Sequence, residues 1–349
     1  MYKLLFLKLI FLTLFITGCG NPPKPAKTLT EAHQKLIKIC KEEFQIDVVL
    51  NPFDHTLWIY VPTKESFFDI KASQEGPKTK KVDEFTEKYA VNFIDGQFTE
   101  NTFNIQYDIS ISKNYGKNYG YSTGFTQQYQ KNQRNLLSAI FRAYADIEKS
   151  PTENKYYKKI QGDLEFEDPL KNASRKKFVH AYIGEEVDAP DFLIIVLADI
   201  TKGIETKMII AFEDLKRAMS DHSFQGEYAK RAIMDYPNGD TKIIGDTTGE
   251  HLEAYDMTWG EFLTRQIIYR TNYKYTRSAF PPRDNAAEQL LEIAYNTVNA
   301  YDFKYFLGIT LQNLRDETEQ FVLSEHLAKY APKEKPPKGK LHTIKFFEN

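Results

Sequence analysis

Residues 192–200 read Phe-Leu-Ile-Ile-Val-Leu-Ala-Asp-Ile, an apolar run broken only by Asp199. Successive side chains on a strand point to opposite faces, so a strand of this composition is buried on both. The run is also too short for a membrane-spanning helix, which needs about 18–20 apolar residues. It therefore predicts a fully buried central strand. Thr201-Lys202-Gly203 follows as a turn, and residues 204–212 form the returning strand of a hairpin.

Around this strand the chain alternates hairpins and helices without a regular βαβ rhythm, which predicts an α+β fold of antiparallel or mixed sheets with packed helices. Thr28-Leu-Thr-Glu31 matches a capping box, opening a helix with His33, Leu36, Ile37, Cys40 and Phe44 on one face. Residues 46–50 and 57–61 read as strands joined by Asn51-Pro52-Phe53-Asp54-His55, and 89–94 with 97–99 as a hairpin turning at Asp95-Gly96. Phe103, Ile105, Tyr107, Ile109 and Ile111 alternate with polar residues as in a half-buried strand. A helix is expected over 126–149, a strand over 178–183, a short helix over 213–219, and a short strand over 241–244 after the turn Pro237-Asn238-Gly239-Asp240. Thr258-Trp-Gly-Glu261 is a second capping box, and Asp284 is placed to cap a helix bearing Leu290, Leu291, Ala294 and Val298. Residues 303–311 alternate as a strand, and 316–330 are expected to be helical.

The N-terminus carries a different signal. Lys3 and Lys8 precede a short apolar stretch that closes on Ile16-Thr17-Gly18-Cys19. This segment resembles the lipobox signal of bacterial lipoproteins. The resemblance implies cleavage before Cys19, a diacylglyceryl thioether on its sulfur, and usually a further acyl chain such as palmitate. It implies a membrane partner through the lipid, with the folded part outside the cytoplasm in the cell envelope or periplasm. Lipidation would leave Cys40, the other cysteine, without a disulfide partner. The expected organisation is a signal peptide (1–18), a lipidated cysteine and proline-rich tether (19–28), an N-terminal α+β region (29–150), a charged linker (151–175), a C-terminal α+β region (176–331) and a basic proline-rich tail (332–349). The two α+β regions leave room for two subdomains.

Catalytic signatures are few. The sequence has no phosphate-binding glycine loop, nucleophile elbow, H-E-x-x-H or C-x-x-C. No cofactor or metal is expected, and the net charge of −2 gives no nucleic-acid footprint. One polar cluster, Gly245-Asp-Thr-Thr-Gly-Glu-His-Leu-Glu-Ala-Tyr-Asp256, holds Asp246, His251 and Glu253. Carboxylates beside an imidazole can share acid–base work or bind a cation, and His251 and Glu253 would share a face if the segment is a strand. The same residues can equally form a glycine-bracketed turn leading to the next helix. A short repeat, Lys113-Asn-Tyr-Gly116 and Lys117-Asn-Tyr-Gly120, places Tyr115, Tyr119 and Tyr121 in a loop. That loop is either a contact surface for an envelope protein or glycan, or a connector packed on the domain. The reading is an anchored structural, binding or adaptor module, with an envelope hydrolase using residues 246–256 as the alternative.

Overall fold

The computed structural model describes residues 28–72, 87–113, 121–144, 189–220, 228, 230–277 and 285–332. The architecture is α+β, built on two mixed sheets. The first has β1 (Val49–Pro52), β2 (Thr56–Thr63), β7 (Phe192–Asp199), β8 (Ile204–Ala211) and β9 (Ile233–Gly239), in the order β1-β2-β7-β8-β9. The second has β4 (Glu87–Thr99), β5 (Thr102–Lys113), β10 (Gly308–Asn313) and β11 (Thr318–Leu323), in the order β11-β10-β5-β4. A small pair joins β3 (Phe68–Ala72) to β6 (Tyr121–Phe125). The helices are α1 (Glu31–Glu43), α2 (Gln127–Tyr144), α3 (Phe212–Ser220), α4 (Trp259–Arg277) and α5 (Ala286–Ala300). No helix among the described residues is long and apolar enough to cross a membrane.

The apolar run is the central strand β7, and its two faces feed two cores. Leu193, Ile195 and Leu197 join Leu36 and Cys40 of α1, Leu136 and Ile140 of α2, and Leu215 of α3. Phe192, Ile194, Val196 and Ala198 point the other way, toward α4, α5 and the inner face of the four-stranded sheet. Each fully buried side chain of this size contributes about 1.5–3 kcal/mol, so an unbroken run here stabilises both cores at once. Strands from both sides of residues 145–188 share each sheet: β2 pairs with β7 and β5 with β10, both in parallel. Residues 151–175 and the strand expected over 178–183 lie outside the described residues.

Several local expectations are corrected. Asp95-Gly96 is not a turn, because β4 runs straight through it and the hairpin turns at Glu100 and Asn101, with φ of 50° and 56°. Gly96 answers a packing need: a Cβ there would lie 2.8 Å from the Asn104 carbonyl oxygen and 3.2 Å from the Thr264 methyl on α4. The first capping box is shifted by two residues. Thr30 caps α1, its Oγ accepting from the His33 N–H while the His33 ring accepts from the Thr30 N–H. Asn285 caps α5, accepting from the Glu288 N–H at 3.2 Å; Asp284 lies outside the described residues. Residues 241–243 form a 3-10 turn, and Pro237 instead lies in β9, an edge strand where a missing N–H is tolerated. The strand expected from residue 303 begins only at Gly308. The helix expected over 316–330 is β11 followed by a 3-10 turn over Ser324–Tyr330, since Val322 pairs with Ile309 and turns inward. The box at Thr258 and Glu261 forms as expected: the Thr258 N–H donates to the Glu261 carboxylate at 2.7 Å, and the Glu261 N–H to Thr258 Oγ1 at 3.3 Å.

Two charged contacts tie the helices. Arg142, buried on α2, forks onto both carboxylate oxygens of Glu43 at 2.7 Å, and these bonds hold the Glu43 carboxyl below its usual range. Asp214 of α3 is buried against Arg231 (3.1 Å) and the Tyr301 hydroxyl (2.5 Å), while the Arg231 guanidinium lies 5.1 Å from the Tyr301 ring centre. Burial pushes the Asp214 carboxyl above its usual range despite these partners. Cys40 is buried on α1, and burial pushes its thiol up to about 12, the behaviour of a small core residue.

Candidate functional site

The polar cluster forms where the loop after β9 returns over the end of the sheet. Asp240 caps the 3-10 turn, accepting from the Lys242 N–H at 2.9 Å, and the Gly245 N–H donates to the Ile200 carbonyl at 2.8 Å. The second of these contacts holds the loop against the β7–β8 hairpin. Asp246 then organises the next turn through one oxygen, Oδ1, which accepts from the Thr248 N–H (2.7 Å), the Thr248 hydroxyl (2.8 Å) and the Gly249 N–H (3.2 Å). Its other oxygen meets His251 Nδ1 at 2.6 Å, and His251 Nε2 meets Glu205 Oε2 of β8 at 3.1 Å. Tyr60 of β2 completes the group: its hydroxyl donates to the Asp246 carbonyl at 2.9 Å, and its ring stands edge-on to His251 at 5.5 Å. Gly249 is required twice over. Its φ is +73°, and a Cβ would come within 3.0 Å of the Tyr60 ring.

With a carboxylate on each ring nitrogen, His251 donates from both only as the imidazolium. Burial works against that charge, but the bonds to Asp246 and Glu205 outweigh it and His251 titrates above its ordinary value. Burial also works against the Asp246 anion. The bonds from His251, Thr248 and Gly249 prevail, and its carboxyl is lowered to about 2. Burial, then the nearby Asp246 and Glu205 carboxylates, push the Tyr60 hydroxyl up. A general base needs a free lone pair aimed at a substrate proton, and neither His251 nitrogen offers one. The arrangement is a charged clamp joining the loop to β8 and β2.

The clamp has a pH window of defined sign. His251, raised on folding, contributes fully below about pH 6.5, and that contribution is lost as pH rises through its folded value. Asp246, depressed from 3.8 to about 2, contributes above its unfolded value, and that contribution is lost as pH falls toward about 2. His251→Gln is therefore expected to cost about 1–3 kcal/mol at pH 5.5 and distinctly less at pH 8.5, read by urea unfolding at both values. An equal loss at the two values would remove the imidazolium from the account.

The other candidate residues separate. Glu253 is exposed, and residues 252–258 are irregular, so no strand alternation aligns it with His251. Asp256 serves a second contact, accepting from the His55 N–H at 2.9 Å while the His55 ring pairs with Asp191 at 2.9 Å. Asp199 is buried in the β7–β8 turn, accepting from the Thr201 N–H and hydroxyl and the Lys202 N–H. Cys19, Tyr115 and Tyr119 lie outside the described residues, and Tyr121 opens β6. Sequence reasoning missed Glu205 and Tyr60, which the sheet brings in from distant strands with no local motif. Among the described residues no group of three or more His, Cys, Asp or Glu is placed to hold a metal ion. No protein-family model, curated protein or solved structure matches this chain.

Proposed function

We propose that this chain is a lipid-anchored protein of a bacterial cell envelope, acting outside the cytoplasm as a binding, structural or adaptor module. The observation that carries the anchor is Ile16-Thr17-Gly18-Cys19 at the end of a lysine-led apolar stretch. One acyl chain binds a membrane only marginally, whereas two or three hold it stably, at about 0.8 kcal/mol per buried methylene. The proline-rich residues after Cys19 suit a tether between bilayer and folded part. The non-catalytic reading is supported by the His251 clamp, which commits both ring nitrogens, and by the exposed position of Glu253. Both features weigh against a hydrolase built on Asp246, His251 and Glu253.

The test is Cys19→Ala expressed in a bacterial host, followed by detergent phase partitioning and palmitate labelling. The parent chain is expected in the detergent phase with label, and the variant in the aqueous phase without it. A variant that still partitions with detergent would sink the anchor.

A further inference from the structure

The outer face of the four-stranded sheet carries a second, unrelated feature. Inward residues of β5, such as Phe103, Ile105 and Tyr107, are buried, so their neighbours Asn104 and Gln106 point outward. Register places Phe321, Thr310, Asn104 and Gln97 in one row across β11, β10, β5 and β4, and Glu319, Gln312, Gln106 and Asp95 in the next. All of these except Asp95 line a trough of about 550 Å³, within the size range of small-molecule sites.

Its chemistry is unusual for a merely solvated sheet face. The trough is lined by four carboxamides and no lysine, arginine or histidine among the described residues. Three of the four amides are tied in place, since Gln106 Nε2 donates to Gln312 Oε1 at 2.7 Å and Asn104 Nδ2 to Thr99 Oγ1 at 2.9 Å. These bonds leave the Gln106 and Asn104 carbonyl oxygens as acceptors and the Gln312 amide as a donor. Beside them the Phe321 ring lies over Gly308, where a Cβ would meet it at 2.7 Å, yet the residue is 52% exposed. Glu100 and Glu319 border the trough and disfavour phosphate or other anions.

We infer that this face binds a neutral oligosaccharide. Sugar hydroxyls both donate and accept, which matches fixed carboxamides and threonine hydroxyls, and the C–H face of a pyranose stacks on an exposed aromatic ring. A basic peptide would use the two carboxylates and leave the amides unmatched. The inference gives a partner class to the binding role proposed above and rests on that role, though not on the anchor.

The test is calorimetric titration of the full chain, held in a detergent without sugar headgroups, with cellohexaose, maltohexaose, tetra-N-acetylchitotetraose and tetralysine. At least one saccharide is expected to bind and tetralysine is not. Phe321→Ala and Gln312→Lys are each expected to weaken that binding roughly five- to tenfold. Gln312→Lys, on a partly exposed site, keeps the test valid should Phe321→Ala lower the melting temperature. Cys19→Ala is expected to bind the sugar unchanged, so loss of the anchor and loss of this site are read separately. The inference is overturned if no saccharide binds, if only tetralysine binds, or if both trough variants bind as the parent does.

Discussion

Asp214→Ala is expected to cost about 3–5 kcal/mol, the range for removing one member of a buried ion pair. That is a third or more of the 5–15 kcal/mol by which domains are commonly stable. The carboxylate meets Arg231 at 3.1 Å and the Tyr301 hydroxyl at 2.5 Å, linking α3 to the segment just before β9 and to the end of α5. Alanine separates a buried guanidinium from its carboxylate and takes the acceptor from the hydroxyl. Yet the pair is not a net source of stability. Burial raises the Asp214 carboxyl above its unfolded value, so its linked contribution belongs to acid pH and is lost as pH rises through the folded value. The double replacement Asp214→Leu with Arg231→Met should therefore recover most of the loss. Urea unfolding of both variants checks this. A single variant within about 1 kcal/mol of the parent, or a double variant no better than the single, would contradict it.

The second large effect is expected at Gly260, in the first turn of α4. Helix propensity alone favours alanine there by about 0.8–1 kcal/mol. Sterics oppose it, since a Cβ would stand 2.0 Å from Cδ1 and 2.3 Å from Cγ of Phe98 on β4. Phe98 cannot easily yield, because its ring packs against Phe103 at 4.8 Å and Phe303 at 6.1 Å. Overpacking costs about 1–3 kcal/mol and sometimes more, and an approach of 2.0 Å puts Gly260→Ala at the upper end. Adding Phe98→Ala should relieve the clash, so the pair should be less destabilised than the sum of the singles. An alanine variant as stable as the parent would mean that helix and sheet do not meet this closely.

What the sequence discloses here depends on how local the cause is. β7 is legible because both of its faces are apolar, and β5 because one of them is; α4 is legible from its capping box. β11 is not, because Val322 alone among its residues is buried and its strand character comes from pairing with β10. Gly96 misleads because a glycine serving close approach looks like a glycine serving a turn. In the candidate site, Asp246 and His251 are five residues apart and their contact is readable. Glu205 and Tyr60 arrive by sheet register, and the expected alternation that would align Glu253 fails because no strand forms there. The trough has no motif at all, since its rows exist only across four strands.

The two parallel pairings also set an order of assembly. As the chain emerges, residues 56–63 cannot find their parallel neighbour until 192–199 are made, nor can 102–107 until 308–313 follow. Local helices and the β4–β5 hairpin can form early, but neither sheet closes until late. Loop closure of this length precedes the contacts that reward it, which makes folding slow and leaves unpaired edges exposed meanwhile. The long-range register that hides so much from the sequence thus also delays closure of both sheets until nearly the whole length of the chain is available.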